Sequence, residues 1–340
     1  MKIIFKKTFI TLLGCLILLN MSGITTSVAN TVPTKTTTID RVFEYLGLKY
    51  ENAIQNFDYG DKNEVFITQR VKSATVLSRC IIKGEKCEVE DYVILGDYGH
   101  GESLEVIKEN GKTLLWVGNT VNSGDSNKWS TDISLIEYKV NPAKPTGAEV
   151  VNVKTITNLE EVTSKISGSA YRSAVAIADG KDRICFRIQI GTSASDTYYA
   201  VYKLSDVTKA LKASSDNKMS IKDLSSLQLT NFTGLTRPNN SFQGFDITGI
   251  GSGNKFLYLY GGAAGDTPTL YKYSYTNGGN AEHINTIKIT GSYVGTLEAE
   301  GIKVENNPNN SSVETVFLSL NPGLDSSGNQ KPIRLYTLFE

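Results

Sequence analysis

The chain has 340 residues, 40% of them apolar, with 35 Lys and Arg balanced by 35 Asp and Glu. This composition supports a full hydrophobic core and excludes a disordered chain, a coiled coil and a small disulfide-stapled scaffold. Even charge gives nothing to steer the protein towards nucleic acid, and with only two histidines, His100 and His283, a His-rich metal site cannot be built.

Lys2, Lys6 and Lys7 precede a short apolar run from Thr8 to Leu19, and Ser27-Val28-Ala29 sets small residues at a cleavage site. Residues 1–29 therefore read as a secretory signal peptide, and the protein as secreted. Two other readings stay open: a retained anchor helix, and a lipidated Cys15 in Leu12-Leu13-Gly14-Cys15, although the apolar run continues past that cysteine. Nothing after Leu19 is apolar for long enough to cross a bilayer, so no integral membrane protein is expected. Loss of residues 1–29 removes three Lys and no acid, for a net charge of −3. Residues 30–38, rich in Thr and without periodicity, are expected to form a disordered spacer.

From residue 39 onward an internal repeat dominates. Five segments set a polar residue before alternating apolar ones: Gln55–Tyr59, Glu105–Glu109, Ser173–Ile177, Gln243–Ile247 and Glu300–Val304. Each is followed by a strongly β-forming run (Val65–Thr68, Leu114–Val117, Ile184–Ile188, Phe256–Tyr260 and Val316–Leu320). A third strand with an apolar period of two comes next: Thr75–Cys80, Ile133–Tyr138, Tyr199–Leu204, Thr269–Tyr273 and Ile333–Leu338. Four units add a fourth strand, at Glu88–Leu95, Glu149–Ile156, Ser220–Leu229 and His283–Ile289.

The fifth unit runs out of chain, and the one unassigned β-like segment is Ile39–Leu48. The pattern therefore predicts an all-β fold, a five-bladed β-propeller over residues 39–340, closed by the N-terminal strand pairing with the C-terminal blade. Closure would also hide strand edges. A β-sandwich with coincidental strand similarity is the alternative. Ser205–Lys212 has helical spacing with Ser205 as a candidate N-cap.

Fivefold geometry would gather Gln55, Glu105, Ser173, Gln243 and Glu300 around one mouth of the central channel. Such a ring suits polar ligand groups or a cation, or simply hydrogen-bonds backbone and channel water. His100 lies in the Gly-rich loop Tyr98–Ser103, where it either stabilises the turn or meets a ligand. Cys80 and Cys87 flank a Lys-Gly-Glu-Lys turn and are either disulfide partners across a hairpin or two reduced thiols, whereas Cys185 reads as buried. No metal site or cofactor is expected. No nucleophile, base and orienter can be placed together, so the sequence does not read as a hydrolase.

The segments Gly99–Glu105, Ser241–Ile247 with Leu257-Tyr258, Glu298–Ile302 and Tyr199–Val207 resemble the helveticin J family of large, heat-labile bacteriocins. The resemblance spans roughly residues 50 to 340, in the same repeat order. It implies a secreted antibacterial protein whose partner is a component of the target bacterial cell envelope, a receptor or wall glycan, bound without catalysis. A lectin-like or protein-binding propeller without toxicity is the alternative. Two departures from the family pattern are Ser173, where an acid would be expected, and the clear export signal.

Overall fold

The computed structural model describes residues 31–340 apart from 165–166, 242, 249–254, 292–293, 295–297, 308–312, 329–330 and 340. The segment read as a signal peptide, residues 1–29, lies outside the described residues. The chain opens with β1 (Thr34–Thr38) and β2 (Asp40–Leu46). A first group of strands follows: β3 (Ile54–Tyr59), β4 (Glu64–Val71), β5 (Ala74–Lys83) and β6 (Lys86–Leu95). The second comprises β7 (Leu104–Glu109), β8 (Lys112–Val121), β9 (Ser130–Val140) and β10 (Ala148–Thr157). In the third, β11 (Ala170–Ile177), β12 (Arg183–Ile190) and β13 (Thr197–Lys203) lead through helix α1 (Leu204–Ala213) and the short β14 (Lys218–Ser220) to β15 (Gln228–Thr233). The fourth holds β16 (Phe245–Ile247), β17 (Phe256–Gly261), β18 (Thr269–Tyr275) and β19 (Ala281–Thr290). Finally come β20 (Glu298–Asn306), β21 (Glu314–Asn321) and β22 (Arg334–Phe339).

Within each group successive strands pair antiparallel. The architecture is all-β, as the repeat predicts. β2 pairs antiparallel with β22, Asp40 opposite Thr337 and Glu44 opposite Arg334, and parallel with β6 on its other side. The first and last groups are thereby one eight-stranded sheet.

Three local expectations are corrected. Residues 34–38 of the supposed disordered spacer are β1, which pairs in parallel with β19 from Thr34 opposite Thr286 to Thr38 opposite Thr290. Thr has high strand propensity, and the exposed edge of β19 satisfies its backbone groups. The outer strand of the third group is not Ser220–Leu229: residues 221–227 form a 3₁₀ helix, β14 pairs with β10, and β15 pairs with β13. Helix α1 starts one residue before its expected cap, with Lys203 rather than Ser205 at the N-cap. Cys80 and Cys87 are buried thiols here that hydrogen-bond to each other, the second of the two readings the sequence left open.

The apolar side chains form five separate clusters, each lying between neighbouring groups. Phe66 and Leu115 belong to the cluster between the first and second, Trp116 and Phe186 to that between the second and third, and Ala174 and Phe245 to that between the third and fourth. Tyr260 with Leu318 and Val65 with Leu335 complete the cycle. Both faces of a strand are covered in such a stack, which is why β12 is buried at every position.

The first strands of the groups meet at the centre, where β3 touches β7, β7 touches β11, β11 touches β16, β16 touches β20 and β20 touches β3. Space there is tight. A Cβ on Gly301 would sit 2.9 Å from the Asn56 Cα, and one on Gly244 would sit 2.6 Å from the Glu300 carbonyl oxygen, so these positions need glycine. Carboxylates staple neighbouring inner strands: the Val106 N–H donates to Asp58 Oδ2 and the Val304 N–H to Asp246 Oδ2, both at 2.6 Å.

Lys303 lies between these staples, 2% exposed. Its Nζ donates to Glu105 Oε2 at 2.5 Å and to the Ile177 carbonyl at 3.2 Å, and lies 3.7 Å from Asp58 Oδ1 and 3.9 Å from Asp246 Oδ2. One ammonium on the fifth group thus reaches all four others. Burial alone would depress it, but Asp246, Asp58 and Glu105 outweigh burial and hold it well above the ordinary lysine value. Burial, with Asp58 and Asp246 nearby, pushes Glu105 up to about 8 against the pull of Lys303, and burial lifts Asp246 to about 6.

Lys303→Met leaves three buried carboxylates facing one another, so urea unfolding should show a loss of about 3–5 kcal/mol. A carboxyl whose pKa is raised by folding is stabilising below its unfolded value and forfeits that stability as pH rises through its folded value. The unfolding midpoint of the wild type should therefore fall between about pH 5 and 8, and Glu105→Gln should flatten that decline.

Candidate functional site

Asp58 and Asp246 occupy matching places, each bonded to the next inner strand, and this fixes the register among repeats. Glu105 precedes Val106 as Lys303 precedes Val304, so Glu105 matches Lys303 and lies deep in the channel. Three residues nearer the mouth stand Gln55, Glu102, Gln243 and Glu300. On β11 the corresponding side chain is Arg172, which pairs with Glu102: Nε donates to Glu102 Oε2 at 2.6 Å and a second contact joins Nη2 to Oε1. A planar guanidinium suits this two-point grip.

Two members of the sequence-predicted ring are corrected accordingly. Gln55, Gln243 and Glu300 do share one pocket, of about 720 Å³, but Glu105 and Ser173 do not line it. Glu105 binds Lys303 below, and the Ser173 Oγ donates to the Ser130 carbonyl at 3.1 Å. Arg172, His100, Trp129, Glu298 and Arg70 also line it, with the carboxylate Glu51 and the amides Asn52 and Asn127. Sequence reasoning missed Glu102, Arg172, Trp129 and Glu298. Aligning repeats on Asp58 and Asp246, rather than on the leading amide, would have found the first two.

Glu300 is fully buried, and burial followed by the nearby Glu298 carboxylate raises its pKa well above the ordinary value, against a hydrogen bond from Gln55 and the charge of Arg172. Its surroundings therefore favour the protonated form of Glu300. Glu298 is half buried and also raised by burial, with the Gln243 Nε2 donating to its Oε1 at 3.0 Å in opposition. Two residues apart on one strand, their backbones are about 7 Å apart.

One wall is aromatic. The Arg172 guanidinium lies 3.7 Å from the Trp129 ring centre, and the His100 ring lies against Trp129 with centres 4.1 Å apart and planes tilted by 37°. His100 Nδ1 is 2.7 Å from the Asn127 carbonyl, which can only accept, so Nδ1 carries the proton. Burial first, and then Arg172 and Arg70, drive the His100 pKa down to about 3. Neutral His100 thus combines the turn-holding role expected of it with a place in the pocket wall. Among the described residues no group of three or more His, Cys, Asp and Glu is disposed to hold a metal ion.

Strands stacked around a polar axial pocket define a propeller-type β protein. The sequence pattern of the family described as "Bacteriocin helveticin-J" matches residues 34–309, and the chain belongs to that family. No curated protein matches it. Among solved structures, it is similar to a GH43 β-1,3-galactosidase, at TM-score 0.48 and 10% identity over 88% of this chain, and spans 59% of that enzyme's length. It also resembles the catalytic domain of a GH62 α-L-arabinofuranosidase from Coprinopsis cinerea, at TM-score 0.46 and 9% identity, covering 89% of this chain and 96% of that one. An exo-β-1,3-galactanase from Phanerochaete chrysosporium matches at TM-score 0.46 and 9% identity, with 88% and 64% covered.

The solved structures it resembles are glycoside hydrolases, which stands against two expectations drawn from the sequence, that the protein is not an enzyme and that it acts as a non-catalytic binder of an envelope component or a lectin-like propeller, while the likeness itself speaks to the fold alone. The sequence singled out Glu300 but not the burial that raises the pKa of both Glu298 and Glu300, which no local pattern encodes.

A neutral, buried His100 gives a direct check: its imidazole NMR resonances should stay unchanged from pH 8 to pH 5, whereas an exposed histidine would titrate near 6.5.

Proposed function

We propose that the chain is a secreted five-bladed propeller, closed by β2, whose axial pocket cleaves a glycosidic bond in a bacterial surface glycan. The observation that carries this reading is the pair Glu298 and Glu300, two carboxyls of unequal burial in one pocket. Glycoside hydrolysis requires one carboxyl to keep its proton and another to give its proton up. Glu300, the more buried, donates its proton to the leaving glycosidic oxygen as the bond to the anomeric carbon breaks. Glu298, the less buried, takes a proton from the water that attacks that carbon. Gln55, Gln243 and the Arg172–Glu102 pair hold the two acids and offer hydrogen bonds to sugar hydroxyls, and Trp129 with His100 forms an apolar wall for a sugar face. Family membership supports a bacterial target, and the basic-apolar stretch in residues 1–29 supports action outside the cell.

The test is to incubate the purified protein with bacterial wall glycans, galactans and arabinans and measure the reducing ends released. Hydrolysis of at least one polymer is expected, with Glu300→Gln slower by about 10²–10⁴-fold while tryptophan fluorescence still reports glycan binding. Both limbs of the pH profile should lie above the range of ordinary carboxyl groups. Absence of hydrolysis across the panel, or a Glu300→Gln variant as active as the wild type, would overturn the proposal.

A further inference from the structure

A second cavity, of about 650 Å³, lies between α1 and the second group of strands, away from the axial pocket's residues. This volume is within the range of small-molecule sites. Ile107, Leu114 and Leu135 line one side and Leu204 and Thr208 the helix side. Lys181, Lys209 and Lys212 surround it, with Glu109 as the one acid in the lining. Glu109 is already engaged by Lys212, and Lys181 lies 3.9 Å from Asp58 Oδ2. Among the described residues Lys209 has no ion pair, so the rim keeps uncompensated positive charge beside an apolar interior. The Thr208 Oγ1 in the wall is buried without a hydrogen-bond partner. An adjoining hollow of about 400 Å³ shares Leu114, Leu135, Glu109 and Lys212 and adds Lys154 and the pair Lys112–Glu137. The two meet along Leu114 and Leu135 as one trough, with its apolar wall on the side towards the helix and lysines at its edges.

We infer that this trough binds a single-chain amphiphilic anion, a medium-chain acyl carboxylate, with the chain along Leu114 and Leu135 and the carboxylate at the Lys209 rim. Charge complementarity selects the headgroup: a neutral chain would leave the lysines unanswered, and a polar anion without a chain would leave the leucine wall wet. A volume of about 650 Å³, within the small-molecule range, selects one chain rather than a bilayer surface. This inference is independent of the axial pocket and of its proposed chemistry.

The experiment is isothermal titration of the full chain with decanoate, and with decanol as the uncharged control. The wild type should bind decanoate saturably and more tightly than decanol. Thr208→Trp, which fills the trough from the helix surface, should weaken decanoate binding by about tenfold or more, with circular dichroism confirming an intact fold. Lys209→Glu should weaken decanoate by about threefold or more and leave decanol unchanged. No saturable binding of decanoate, or binding unaffected by Thr208→Trp, would overturn the site. Equal affinity for decanoate and decanol in wild type and Lys209→Glu alike would overturn the assignment of an anion.

Discussion

A single buried ammonium organises this protein. Lys303 extends from β20 into the centre, where it is bound by Glu105 and the Ile177 carbonyl and faced by Asp58 and Asp246. Desolvating a charge is costly unless partners surround it, and here the partners come from every other group of strands. The ion therefore sets distances as well as adding energy. Inner strands that drifted outward would strand a buried charge, and strands packed closer would meet the contacts already filled at Gly244 and Gly301.

That constraint positions the site above it. Gln55, Glu102, Gln243 and Glu300 each stand three residues before a member of the charged cluster, on its strand or in the chain leading into it. Fixing the deeper level fixes the upper one, and the result is a pocket with an acid whose pKa burial raises and a second carboxyl beside it. The apolar clusters between groups supply stability without specifying this register. Several of their members are ordinary Leu, Ile and Val, whose contacts tolerate repacking. The polar centre does not.

Much of the fold was legible because strand period and repeat spacing are local signals. The second strands, the third strands and the pairing of residues near 40 with residues near 337 all emerge from apolar alternation and from a shortage of chain at the C-terminus. What failed was register by one to three residues. Ser173 and Glu105 were matched to Gln55 by residue type, whereas the molecule matches by which backbone N–H a carboxylate can reach, a contact across strands that no single segment reveals. The strand β1 was misread because Thr-rich polar sequence has no face to bury; the edge of β19 gives it a partner only in three dimensions. The raised pKa of Glu298 and of Glu300 was equally hidden, since an acid's pKa is set by what surrounds it.

Native-state hydrogen exchange of Lys303→Met tests the organising role of this ion most directly. Tyr59, Val106, Ile177, Ile247 and Val304 lie on five different inner strands. If Lys303 holds them around one centre, their amides lose protection together in the variant, and by similar amounts. Loss confined to Val304 and its neighbours on β20, with the other four strands as protected as in the wild type, would contradict it.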